Sequence, residues 1–335
     1  MTLMMKSYHK TLGLDGGIKL GGKLRLMEQK QKEPMSVLAQ WGFTGELEIE
    51  EEYEGHVWTV NEDYILKMTQ SGEEIKNNLL VASLLTEVGI PAQKVVKTVS
   101  KEQYVQVNED YYVLVTKLKG HVLVDYYEGD YVGRAFYLGQ CLASLHEKLK
   151  QIEVSYELWD NKMTDELSGW VKEEMLQYLN QCSLPQKEQE QFKIIKSQFE
   201  TCFHELYVQL PRQVIHRDFH GGNLIFQDEK LVGYIDFDLS QINARLFDVC
   251  YLCTGALVGV FNEVEKRDKW IHFSKTVIKG YESQTSLTSE EHESLKYMMI
   301  AIEFIMIAYF AKAGNEEVAN MNVQMVNWIE SVWGT

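Results

Sequence analysis

Between His216 and Asp238 the chain reads HRDFHGGN, then a short apolar, polar and apolar stretch, then IDFD, and this segment narrows the fold more than any other. Val214 and Ile215 are apolar, Leu224 to Phe226 read as a short strand, Gln227 to Lys230 as a polar turn, and Leu231 to Asp236 as a return strand. The pattern is a β-hairpin with Asn223 at its entrance and Asp236 at its exit. An Asn amide oxygen and a carboxylate suit a hard cation such as Mg²⁺. A carboxylate within reach of a hydroxyl can orient it and take its proton. Phosphoryl transfer needs both devices, so Asp218 is the candidate catalytic base, and Asn223 and Asp236 are the candidate metal ligands. Asp238 adds a second metal-site carboxylate on the face of Asp236 if the strand runs on, because residues two apart on a strand share a face.

HRDFHGGN and IDFD in this order resemble the catalytic loop and metal aspartate of eukaryotic-type kinases. The chain is similar to the aminoglycoside phosphotransferase and choline kinase superfamily, whose loop is commonly written HGDxxxxN. The similarity runs from about Val37 to the C-terminus, and its specific motifs lie between Val214 and Asp248. It implies an α+β, two-lobed protein-kinase-like fold, with a small antiparallel-sheet N-terminal lobe and a larger, mainly helical C-terminal lobe. It also implies ATP and Mg²⁺ as cofactors, and transfer of the γ-phosphate to a hydroxyl of an amino alcohol, amino acid, sugar or aminoglycoside, with a lean toward a homoserine-kinase-like enzyme. Arg217 stands where the family has Gly, which leaves two readings open, a salt-bridged structural Arg and a ligand contact. Asp248 matches an acidic family position at a helix start, where it supports the metal loop. The short gap from Asp236 to Asp248 holds no long activation segment and no APE sequence, which a protein kinase uses to dock a peptide. A bacterial Ser/Thr protein kinase and a non-catalytic kinase-fold binding protein are the alternatives.

Upstream, Leu47 to Tyr53, Val57 to Val60 and Tyr64 to Met68 alternate like strands of an antiparallel meander. Lys67 lies on the third of them among apolar residues, where a lysine has little reason to be unless its head meets a phosphate or a carboxylate. It is assigned to the nucleotide phosphates. Gly55, between the first two strands, is what remains of a phosphate-covering glycine loop. A helix from about Glu73 to Val88 follows, ending at Gly89-Ile90-Pro91. The resemblance asks it for a glutamate to hold Lys67, and Glu74 is the preferred partner, although the family position falls near Asn77 or Asn78. Tyr111 to Leu118 form an apolar strand ending in a turn that resembles the hinge between lobes, with Thr116 to Leu118 as contributors to the adenine edge.

Past that turn the chain reads as helical over Ala135 to Lys148, Trp159 to Asn180 and Gln186 to Leu210, and again over the apolar run Tyr297 to Ala311, where Glu303 is a candidate cation ligand of the acceptor. Three segments follow: residues 1–34 as a flexible N-terminal extension, 35–119 as an ATP-binding lobe, and 120–335 as a catalytic and acceptor-binding lobe. With 45% hydrophobic residues, 335 residues can bury the cores of two lobes. A formal charge of −16 argues against nucleic acid and against an anionic membrane as partners. It fits a cationic small-molecule hydroxyl acceptor as well as it fits a plain solvated surface. Five cysteines, an odd number with no evident signal peptide, point to reduced thiols and a cytoplasmic setting. Cys250 and Cys253, a CxxC on an apolar stretch, read as core.

Overall fold

The computed structural model describes residues 32–53, 55–153, 158–160 and 162–334, so the expected extension lies outside the described residues up to residue 31. The chain divides into two compact units, one of residues up to Leu123 with Gly222–Leu239, the other of Val124–Gly221 with Ser240–Thr335.

In the first unit an antiparallel sheet runs β1 (Ile49–Tyr53), β2 (Val57–Val60), β3 (Tyr64–Thr69), β6 (Asp110–Thr116), β4 (Val95–Val96), with β5 (Val105–Val107) also paired to β6. Period-two alternation decides what each face meets. Leu66 and Leu114 pack with Val37, Leu38 and Trp41, from helix α1 (Lys32–Leu38) and the 3-10 turn after it. Ile65, Val113 and Val115 pack on the other side with Ile75 of α2 (Gly72–Glu87). Lys67 follows Ile65 at the spacing that puts it on the α2 side. Helix α2 begins where Ser71 accepts from the Glu74 amide, and Gly89, at φ 69°, turns the chain away past its end. The expected hairpin is β9 (Leu224–Gln227) with β10 (Lys230–Tyr234), extended by β7 (His121–Val122). Strand β10 stops at Tyr234, short of the expected Asp236. Asp236 has φ 64°, a left-handed conformation that no strand accommodates.

The second unit is helical: α3 (Tyr131–Leu149), α4 (Met163–Glu166), α5 (Lys172–Leu179), α6 (Gln186–Tyr207), α7 (Leu246–Val258), α8 (Val264–Glu282), α9 (Ser289–Lys312) and α10 (Glu316–Val332), with a strand pair of β8 (Arg212–Ile215) and β11 (Gln241–Ala244). The single helix expected over Trp159 to Asn180 is broken. Trp159 instead accepts from the Ile242 amide, and a π-type turn at Leu167–Val171 separates α4 from α5, with Gly169 at φ −91°, ψ −116°. Helices α3 and α8 touch backbone to backbone, since a Cβ on Gly280 would lie 2.0 Å from the Phe136 carbonyl oxygen. Gly280→Ala is therefore expected to lower stability by about 1–3 kcal/mol through overpacking, read from the midpoint of urea unfolding.

Helix α9 is long and apolar enough to cross a membrane, yet most of it is buried within its own unit. Glu303 on this helix is fully buried, and neither carboxyl oxygen has a hydrogen-bond partner. Burial holds its pKa well above the usual 4.5. A neutral carboxyl sealed from solvent does not serve as a cation ligand, which corrects the expectation. The folded state keeps Glu303 protonated while the unfolded chain ionises near pH 4.5. Its contribution to stability is therefore fully present below that pH and is lost as pH rises toward the folded pKa. Glu303→Gln should flatten this decline and raise the thermal midpoint at pH 8 more than at pH 5.

Candidate active site

In the first unit the Lys67 amine donates to Asp238 Oδ2 at 2.9 Å and to Asp236 Oδ1 at 3.1 Å. Burial opposes the charge on Lys67, and the two carboxylates overcome that cost, holding its pKa above the usual 10.5. Burial likewise pushes the Asp238 carboxyl up to about 6, with repulsion from Asp236 adding to it and Lys67 opposing. Asp236 and Asp238 do share an amine, although through a 3-10 turn at Phe237–Leu239 rather than a continuing strand. Asn223 sits at the hairpin entrance, its carbonyl accepting from the Ile235 amide at 3.0 Å, so the backbone on either side of the hairpin is tied together. The amine, both carboxylates and Asn78 line one recess with Val81 and Val115.

The other expected contributors of this unit are placed as follows. Glu74 does not hold Lys67. Its Oε2 accepts from Thr69 Oγ1 at 2.8 Å, because a first-turn residue of α2 points back to the strand end that precedes the helix. The Thr116 amide is already bonded to the Lys94 carbonyl at 2.9 Å, which removes it as a donor to an adenine edge. Leu118 backs onto Gly233, where a Cβ would meet Leu118 Cδ1 at 2.5 Å. Gly55 occupies the β1–β2 turn at φ 74°, its amide bonded to Glu51 Oε1.

In the second unit Asp218 is 1% exposed and accepts from the Tyr251 hydroxyl at 2.8 Å, with His220 Nε2 at 3.8 Å from its other oxygen. The loop backbone is held by Asp248, which is fully buried and accepts from the amides of His216 and Arg217 at 2.8 Å each and from His146 Nε2 at 3.1 Å. That clamp accounts for the left-handed Arg217, at φ 68°. The salt-bridged reading of Arg217 is the one that the structure supports. Its guanidinium reaches Glu166 and Gln241, each at 2.5 Å, and lies 5.8 Å from the Phe247 ring centroid. Tyr251 was not marked by the motif, yet it lies three residues beyond Asp248 on α7, the spacing that puts both on one helix face. A further tie escapes the sequence, the Gly221 amide donating to the Tyr126 hydroxyl.

An antiparallel sheet carrying a lysine paired to an IDFD turn, and a helical unit presenting an HRD loop, are the parts of a kinase-like phosphotransferase. The chain belongs to the phosphotransferase enzyme family, whose model matches residues 47–284. Homoserine kinase of Zymomonas mobilis subsp. mobilis is 29% identical over 103 residues, and the match spans 29% of this chain and 29% of that relative's length. Among solved structures, an amicoumacin kinase in complex with AMP-PNP, Ca²⁺ and Ami superposes with a TM-score of 0.65 at 16% identity, covering 92% of this chain and 97% of that one. A microcompartment-associated aminopropanol kinase gives 0.66 at 15%, covering 91% and 98%. The GDP and kanamycin complex of APH(2")-IIia gives 0.66 at 15%, covering 90% and 98%. At these identities the likeness is one of fold.

Proposed function

We propose that this protein transfers the γ-phosphate of ATP to a hydroxyl of a small molecule, with Mg²⁺ as cofactor. The observation that carries the reading is the pairing of Lys67 with Asp236 and Asp238, 169 and 171 residues away in sequence. A partly buried ammonium beside two carboxylates has the donor set that a metal-bound polyphosphate requires. Mg²⁺, when bound, neutralises the phosphate oxygens, and Asn223 and Asp236 would hold it. Lys67 binds the donor phosphates. Asp218 orients the acceptor hydroxyl and takes its proton, and the Tyr251 hydroxyl fixes the rotamer of the Asp218 carboxylate. Arg217, tied to Glu166, sets the backbone from which Asp218 projects. Donor binding is assigned to residues 35–119, and catalysis and acceptor binding to residues 120–335.

The acceptor class we favour carries an amine as well as a hydroxyl. Homoserine and aminopropanol, named in two of the relatives, both do, and a chain of net charge −16 attracts a cationic amino alcohol such as aminopropanol at long range. A cytoplasmic setting accompanies this reading, in which the five cysteines are reduced thiols. A screen of nucleotide consumption over amino alcohols, amino acids, sugars and aminoglycosides, run in parallel with ATP and GTP, tests donor and acceptor together. Turnover with at least one acceptor, abolished by EDTA and restored by excess Mg²⁺, is the expected result. ATP binding without turnover on any acceptor would favour a binding protein, and transfer to a generic protein substrate would favour a protein kinase.

A further inference from the structure

We propose that Asp238 is the counter-ion that positions Lys67, in the place that a helix glutamate takes in protein kinases, and that Asp236 is thereby left to the metal. This rests on the reading of Lys67 as the donor-phosphate lysine.

Helix α2 packs on the face of the sheet that carries Lys67, yet it brings no acid to the amine. Glu73 is exposed, and Glu74 is engaged by Thr69. Farther along the helix come Asn77 and Asn78. Both side-chain polar atoms of Asn77 and Oδ1 of Asn78 are buried without a hydrogen-bond partner. Asn78 lines the same recess as Lys67, Asp236 and Asp238. Neutral amides thus occupy the positions from which a helix carboxylate would reach the lysine. An amide offers an ammonium only a dipole, whereas a carboxylate offers a full opposite charge and so attracts it more strongly.

The charge on Lys67 is balanced instead from the IDFD turn, with Asp238 the shorter contact at 2.9 Å and Asp236 at 3.1 Å. Two carboxylates on one amine solve a conflict that a single one would create. With Asp236 engaged as a ligand of bound Mg²⁺, Asp238 would still hold the amine in place. Lysine and metal ligand are then set by one short segment, two residues apart, rather than by a helix that can swing. Displacement of α2, a control point in protein kinases, has no ion pair to break here.

The test is a double-mutant cycle on the full chain, using Mn²⁺ bound with AMP-PNP as the probe, read by electron paramagnetic resonance, with ATP turnover as a second readout. Asp238→Asn is expected to weaken the Mn²⁺–nucleotide complex about tenfold or more, the equivalent of at least about 1.4 kcal/mol. In a Lys67→Met background the same change should cost less than about twofold, because the group it serves is gone. Asp238→Glu, which keeps the charge, should stay within about fivefold of the parent, separating loss of charge from loss of fold. An equal penalty for Asp238→Asn with and without Lys67 would identify Asp238 as a metal ligand and overturn the proposal. A larger effect from Glu74→Gln than from Asp238→Asn would overturn it too. If the parent protein bound no Mn²⁺–AMP-PNP, the donor-phosphate reading itself would fall, a failure visible before any variant is made.

Discussion

Asp218→Asn is expected to lower kcat by about 10²–10⁴-fold, the range over which a positioned general base contributes, with the KM for ATP nearly unchanged. Asn keeps the shape of Asp and still offers an oxygen to the Tyr251 hydroxyl, 2.8 Å from Asp218 Oδ1 in the parent. Fold and donor binding therefore stay intact while the proton acceptor is lost. Tyr251→Phe removes the hydrogen bond but not the carboxylate, so its effect on kcat should be far smaller. Steady-state kinetics of both variants with the best acceptor from the screen, alongside direct ATP binding, separate the two roles. If Asp218→Asn weakened ATP binding and left kcat intact, Asp218 would be a donor-site residue rather than the base.

The second large effect is on stability. Asp248 receives two backbone amides and His146 Nε2 at 2.8–3.1 Å, all from inside a fully buried environment. Asp248→Ala leaves three buried donors without an acceptor. Each orphaned group costs about 1–3 kcal/mol, and partial relaxation of the loop should bring the sum to about 3–5 kcal/mol, read from urea unfolding. Asp248→Asn retains one side-chain oxygen and should cost clearly less. Activity should fall in both variants, because the amides in question belong to His216 and Arg217, which carry the backbone into Asp218. An Asp248→Ala protein as stable as the parent would mean that water replaces the carboxylate, and the clamp would lose its significance.

Local pattern made much of this molecule legible. The three strands before α2 and the hairpin after Asn223 follow from period-two alternation between turn residues, and that alternation also puts Lys67 on the face of Ile65. Helix α2 was marked at its end by Gly89 before Pro91, whereas its cap, Ser71, emerged only with the structure. The spacing of Asp218, Asn223 and Asp236 carried the family, because each position answers to one chemical demand of phosphoryl transfer. Where the pattern was weak, boundaries slipped. The run from Trp159 to Asn180 has helical composition throughout, and only the backbone at Gly169 shows the break.

What the sequence could not decide was which charges meet. Glu74 and Asp238 were both available to Lys67, and no periodicity ranks a residue seven positions away against one 171 positions away. Folding ranked them, because Glu74 turns to the hydroxyl beside it while the left-handed Asp236 aims the IDFD turn at the amine. Glu303 shows the same limit, since its letter fits a cation ligand and only its complete burial makes it a neutral acid. The chain by itself determined the elements and the chemistry they can carry, through short-range patterns that need no partner. Tertiary structure alone decided the pairing of each buried charge, because desolvation and distance are properties of the packed molecule.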